Sequence, residues 1–188
     1  MTYFAAIIGL TLRFYAGWTF LSSGINKWQT GFGGAAVSGY LNGALGKTSA
    51  SLLAAEGPAA AAHPDVTATW AWFIKNIFLP NADLFAFLVK LGEVTIGAAL
   101  IIGLFTHVAA GLGMAMCFVF LLSGTASTTG PLLISFLIIF WLGRESYLFG
   151  VDRFFMGNLV DNHPNLRTEV VHTFFPSHSY KRLRRRHD

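Results

Sequence analysis

Residues 85–105, FAFLVKLGEVTIGAALIIGLF, restrict this chain more than any other stretch: the run is apolar throughout except for a few small polar positions and two ionisable residues, Lys90 and Glu93. A helix of about 20 residues, rising 1.5 Å per residue, crosses a hydrocarbon core of about 30 Å. A soluble domain is about one quarter charged. Here 12% of 188 residues are charged and 54% are hydrophobic, and mean hydropathy is +0.55. The composition predicts a bilayer protein, much of whose apolar surface faces lipid.

Three more runs have the length and composition of a span, and the four together lie at about 4–24, 85–105, 107–124 and 131–149. The first lacks a basic leader and a small-residue cleavage site, so it reads as a retained helix. Only Thr106 and His107 separate the second and third, which forces a tight antiparallel hairpin. GTASTTGP joins the third to the fourth, with Pro131 where a helix can start. The expected fold is therefore all-α, an integral membrane four-helix bundle over residues 1–154, followed by a basic tail at 155–188. Lys and Arg accumulate on the cytoplasmic side. Arg144, Arg153, Arg167, Lys181, Arg182, Arg184, Arg185 and Arg186 all follow the middle of the fourth run. With four spans both termini are then cytoplasmic, and the long 28–84 segment lies outside.

That outer segment changes character along its length. GYLNGALGKTSASLLAAEGPAAAAHP is rich in Gly and Ala, whereas VTATWAWFIKNIFLPN gathers Trp70, Trp72, Phe73, Ile77 and Phe78. Those aromatics suit a short helix that either lies in the membrane interface or packs over the mouth of the bundle. Cys117 is the single cysteine, which excludes an internal disulfide, a cysteine metal cluster and paired-thiol redox chemistry. No metal site is expected. The six histidines fall outside or at the edges of the apolar runs, and none forms an intramembrane pair suited to haem.

Ionisable groups inside spans cost several kcal/mol unless paired or hydrated, so they face a bundle interior or a polar path. In the first run Gly9, Arg13, Gly17, Gly24 and Lys27 recur at helical spacing on one stripe, which should face protein. If the first two runs are both centred in the bilayer and antiparallel, Arg13 and Glu93 lie within about 5 Å in depth, and they are predicted to pair. Lys90, one turn nearer the outer surface, is then expected beside Lys27, where two ammoniums would favour an anion, a carbonyl ligand or water. Arg144 and Glu145 form a further opposed pair on the inner side. Three readings stay open for these charges: an ion network fixing helix register, a polar ligand pocket, and snorkelling to headgroups.

The residues also carry a resemblance. LRFYAGWTFLSSGINKW, with Arg13, Gly24 and Lys27, resembles the first helix of the DoxX/DoxD family. LPNADLFAFLVKLGEVTIGAALIIGLFTHVAA resembles the family's second and third helices through Glu93, Gly97, Leu100, Gly103 and Leu104, and FGVDRFF resembles its closing motif with Val151 in place of leucine. The similarity covers roughly 8–28 and 79–154. It implies a four-helix membrane protein in a bacterial or archaeal plasma membrane. DoxD-type members act as the membrane subunit of thiosulfate:quinone oxidoreductase, and other members accompany oxidant-defence complexes.

Joined to the charges, the resemblance makes the expected function that of a quinone-interacting subunit of an oxidoreductase complex, with sulfur compounds such as thiosulfate as a donor. Arg13, Lys27, Lys90 and Glu93 are the candidates for the quinone or anion pocket. The alternative is a non-catalytic scaffold that recruits a partner. No intrinsic cofactor is expected, quinone being a substrate, and no flavin, iron–sulfur or haem motif is visible. Catalytic residues are not identified. Partners would be membrane lipids and other membrane or redox subunits, not nucleic acid. KRLRRRHD at 181–188 reads as a lipid-facing tail, since each cation near an anionic leaflet is worth about 1 kcal/mol.

Overall fold

The computed structural model describes residues 2–126, 129–142 and 151. Among them every regular element is helical, apart from one isolated bridge between Thr48 and Val66. The elements are α1 (Thr2–Gln29), α2 (Gly34–Leu45), α3 (Ser49–Ala55), α4 (Pro58–Ala61), α5 (Ala68–Phe73), a π turn (Ile74–Phe78), a 3-10 turn (Leu79–Asn81), α6 (Ala82–Ile102), α7 (Thr106–Leu122) and α8 (Thr129–Leu142).

α5, the two turns and α6 form one continuous run, Ala68–Ile102, of 35 residues with a mean hydropathy of 2.0 over its most apolar window. By length and composition it can cross a membrane; α7 and α8 are shorter apolar helices. Proline explains the irregular middle of the run. Pro80 has no N–H and its ring displaces the carbonyl four residues back. The backbone widens into the π turn ahead of it, and Asn81 Nδ2 donates to Ile77 O at 2.9 Å. The aromatic segment expected to be a separate short helix is thus the upper part of the same rod as α6.

α1 packs most extensively on α6, and glycines set the register. A Cβ on Gly97 would lie 2.5 Å from Leu21 N and 2.7 Å from Gly17 O, and one on Gly24 would lie 2.9 Å from Val94 N. Only hydrogen fits at these positions, and the gain is a close approach of the two backbones. Gly9, Arg13, Gly17 and Gly24 are all buried. Phe20, Ile96, Leu100, Ala110, Cys117, Phe136 and Ile139 fill the core among α1, α6, α7 and α8, with Phe20 and Phe136 edge to face at 5.0 Å. Large apolar side chains also point outward: Trp18, Leu84, Val108, Leu112, Ile134 and Trp141 are all more than half exposed.

Between α6 and α7 the chain reverses at Gly103–Phe105, one turn earlier than the sequence suggests. Gly103 adopts φ +74, which glycine tolerates at a helix end, and Gly103 N and Leu104 N both donate to Ala99 O. α8 opens at Thr129, leaving Pro131 in its first turn.

The 34–81 segment folds as a cap with its own core: Val37, Leu41 and Ala44 of α2 meet Val66, Ala71, Ile74, Ala82 and Ala86. Thr48 and Thr67 cap α3 and α5 through their hydroxyls. At the start of α2, Asp83 of α6 accepts from Gly34 N at 2.9 Å, setting a carboxylate against a helix N-terminus. The Gly/Ala-rich stretch is therefore ordered around a helix, α2, that leans on α6.

Candidate functional site

Cap and helices α1, α6, α7 and α8 border a half-open cavity of about 420 Å³, a size typical of small-molecule sites. α1 contributes Thr19, Phe20, Ser23 and Lys27; the 35-residue rod contributes Trp70, Phe78, Phe85, Val89 and Glu93. α2 adds Val37, Tyr40 and Leu41, and the α7–α8 hairpin adds Cys117, Val119, Phe120, Ser123, Thr125, Thr129 and Leu132. Most of this wall is aromatic or aliphatic. Rings meet edge-on or tilted along it, Phe78 with Phe85 at 4.7 Å and Trp70 with Phe78 at 5.4 Å.

One ion pair supplies the cavity's charge. Lys27 Nζ donates to Glu93 Oε2 at 2.6 Å, to Glu93 Oε1 at 2.8 Å and to Ser23 Oγ at 2.7 Å, so all three ammonium hydrogens are used. The Glu93 side chain is 6% exposed and that of Lys27 23%. Sequence places these groups simply. Ser23 and Lys27 are four apart on α1 and share a face, while Gly24 between them leaves room for Glu93, whose Cβ would stand 3.0 Å from a Cβ at that glycine. The Phe32 ring lies 5.7 Å from Lys27 Nζ on the remaining side.

The pairing differs from the one the sequence predicts. Glu93 takes Lys27, not Arg13, as its partner, because the glycine contacts set Gly24 beside Glu93 and leave Arg13 eleven residues away on α1, roughly 16 Å along the axis. Equal centring of the two apolar runs misses this, since α1 continues to Gln29. Arg13 is fully buried, and its Nε donates to Leu100 O at 3.0 Å.

Lys90 also departs from expectation. Its ammonium lies 4.5 Å from the Trp28 ring centroid, a cation–π contact; Trp28 is 48% exposed, and Lys90 is not part of the cavity wall. Lys90 therefore does not join Lys27 in lining this cavity. Arg144 and Glu145 lie outside the described residues. No group of three or more His, Cys, Asp or Glu able to hold a metal occurs among the described residues.

Polar contacts hold the cap over the cavity. Trp70 Nε1 donates to Ser123 Oγ at 3.1 Å, Tyr40 OH and Thr125 Oγ1 are 2.6 Å apart, and Lys47 Nζ donates to Gly124 O at 2.6 Å. All three end on the short α7–α8 connection. Trp70 and Phe78 thus face the cavity, while Trp72, Phe73 and Ile77 remain exposed, so the aromatic segment covers the bundle with one face and leaves the other outward. Tyr40 and Cys117 are lining residues that no sequence motif singles out.

No match was found among curated proteins or among solved structures. Residues 48–126, spanning the rear of the cap, all of α6 and α7 and therefore Glu93 and Cys117, match the family model of DoxX.

Proposed function

We propose that this chain is a four-span membrane protein with both termini cytoplasmic, acting as the quinone-interacting subunit of an oxidoreductase complex. The observation that carries the reading is the half-open cavity of about 420 Å³, aromatic and aliphatic along most of its wall and polar at the Lys27–Glu93 pair. A quinone needs an apolar slot for its ring and hydrogen-bonding groups at its carbonyl oxygens, with a carboxylate near by for protons. The outward-facing leucines, valines and tryptophans of the bundle suit lipid contact, and the DoxX match supports a membrane setting. Because Glu93 neutralises Lys27, an uncharged ring is a better occupant than an anion such as thiosulfate. Sulfur-compound oxidation would then belong to a partner subunit that delivers electrons to the quinone.

Mass spectrometry of the gently purified native complex should report a co-purifying quinone. Val89→Trp, which puts an indole into the cavity from α6, should remove the quinone while thermal stability stays close to that of the parent. Absence of quinone from the parent, or equal retention by the variant, rejects the reading.

A scaffold role is favoured by a different observation, the complete use of Lys27's three donors within the protein. A partner complex that assembles identically with and without quinone would select that role.

A further inference from the structure

We infer that the cavity is entered sideways from the membrane, through a gap between α2 and α7 bridged by Tyr40, and that its ligand is consequently an uncharged amphiphile dissolved in lipid. This rests on the cavity being the quinone site and adds how, and in what physical form, the quinone arrives.

Exposure marks the opening. Among the described residues lining the cavity, Tyr40 at 38% and Val119 at 39% are the exposed large apolar side chains, whereas Glu93, Cys117, Ser123, Thr129 and Leu132 are buried. Tyr40 and Val119 belong to α2 and α7. α2 packs on α6 and on the π and 3-10 turns, so its other flank is left facing α7 across the cavity. Tyr40 bridges that gap. Its ring stands edge-on to Phe120 at 6.3 Å, and its hydroxyl meets Thr125 Oγ1. One side chain therefore spans the mouth, through its hydroxyl contacts with Thr125 Oγ1 and Phe120 O and one ring contact.

The lips decide what lies outside. α2, GAAVSGYLNGAL, carries no charged residue, and its outward positions near Tyr40 are Ala35, Ala36, Gly39, Asn42 and Gly43, with Asn42 the one polar side chain among them. α7 carries no Asp, Glu, Lys or Arg, and beside Val119 it exposes Phe118 at 54%. A mouth opening on water would leave these apolar lips solvated. Here they suit the boundary between acyl chains and headgroups, where a tyrosine's apolar ring and polar tip are both accommodated. A molecule entering there brings its polar head toward Lys27 and Glu93 and leaves its tail between Tyr40 and Val119. Glycines at 39 and 43, with nothing within 4 Å of an added Cβ, leave that side of α2 smooth.

Stopped-flow quenching of tryptophan fluorescence in lipid nanodiscs tests this with two probes, a decyl-tailed benzoquinone and its tailless counterpart. The cavity-filled Val89→Trp protein supplies the blank for quinone that only dissolves in the bilayer. Tyr40→Phe, which removes the hydroxyl's contacts with Thr125 and Phe120 O, should raise association and dissociation rates together by about fivefold, the worth of one hydrogen bond. Val119→Trp should slow association of the tailed quinone by an order of magnitude or more. The parent should bind the tailed probe faster than the tailless one at equal total concentration. Parental binding with rates untouched by either variant, or faster entry of the tailless probe, overturns the lateral mouth and leaves the quinone site standing. No saturable binding by the parent overturns both. Should Val119→Trp fail to fold, the Tyr40→Phe rates decide.

Discussion

Lys27→Met and Glu93→Gln should have unequal effects on stability, and the inequality follows from the geometry of the pair. Lys27→Met keeps the stem volume but removes all three donors at Ser23 and Glu93, leaving a carboxylate that is 6% exposed with neither of its two bonds. Breaking a buried pair from one side costs about 3–5 kcal/mol. Lys27 is 23% exposed, so some water reaches the site, and we expect the lower end, about 3 kcal/mol. Glu93→Gln retains a carbonyl oxygen for Lys27, and the ammonium keeps Ser23 and its partial exposure. The expected loss is about 1–1.5 kcal/mol, that of a charge-assisted bond weakened to a neutral acceptor. Lys27→Met/Glu93→Gln should be milder than the sum, with a coupling of about 1–2 kcal/mol, because a neutral amide tolerates the missing cation. Equilibrium unfolding in mixed micelles, read by circular dichroism, gives all four corners of the cycle. Equal losses for the two single variants, or additivity within about 0.5 kcal/mol, would show that the pair is not the buried, mutually dependent unit described above.

Four further outcomes are expected. Gly97→Ala should cost about 1–3 kcal/mol or prevent folding, since its new methyl meets the backbone of Leu21 and Gly17; Gly111→Ala, with nothing within 4 Å, should be neutral or stabilise by up to about 1 kcal/mol, both measured in the same unfolding assay. Lys90→Met should lose about 0.5–1 kcal/mol, the cation–π contact with Trp28, and leave quinone retention unchanged; loss of quinone would return Lys90 to the site. Trp70→Phe removes the bond to Ser123, and hydrogen exchange should rise in α5 and α2 while α6 below Glu93 keeps its protection. A peptide of residues 155–188 should bind anionic vesicles in a salt-sensitive manner that is lost without 181–188; binding indifferent to salt would reject the electrostatic account.

The helical runs are legible in the sequence because a stretch of about 20 apolar residues has few other uses. Two of the four expected runs coincide with α6 and α7 to within three residues, the first lies inside the longer α1, and the described part of the fourth coincides with α8. The singling out of Lys27 and Glu93 also rests on sequence alone, since charges in apolar runs need a reason to be there. Their partnership does not. Register between two helices depends on where glycines allow the backbones to meet, and Gly24 and Gly97 make that choice through contacts that span lengths do not report. A reading that matched small residues first, and charges afterwards, would have set Gly24 beside Glu93. The cap was hidden for another reason: its helices are short and rich in Ala and Gly, so they hold their shape by burying Val37, Leu41 and Ile74 against α6 more than by any pattern of their own.

The π turn at Ile74–Phe78 sets a phase. Successive residues of an α-helix advance by about 100°, so one residue more or less inside the 35-residue rod turns everything above it relative to everything below. The wide turn takes up an extra residue without ending the helix, and with that residue in place Trp70 reaches Ser123 while Phe85 and Glu93, below, look into the same space. Deleting one residue there and restoring a regular helix would carry the indole about 100° around the axis, away from Ser123, with every side chain of the cavity still present in the chain. The shape of this site is thus kept by a count of residues as much as by their identities. Among similar sequences, insertions and deletions between Trp70 and Phe85 are therefore expected to change which molecule fits more sharply than substitutions at the same positions.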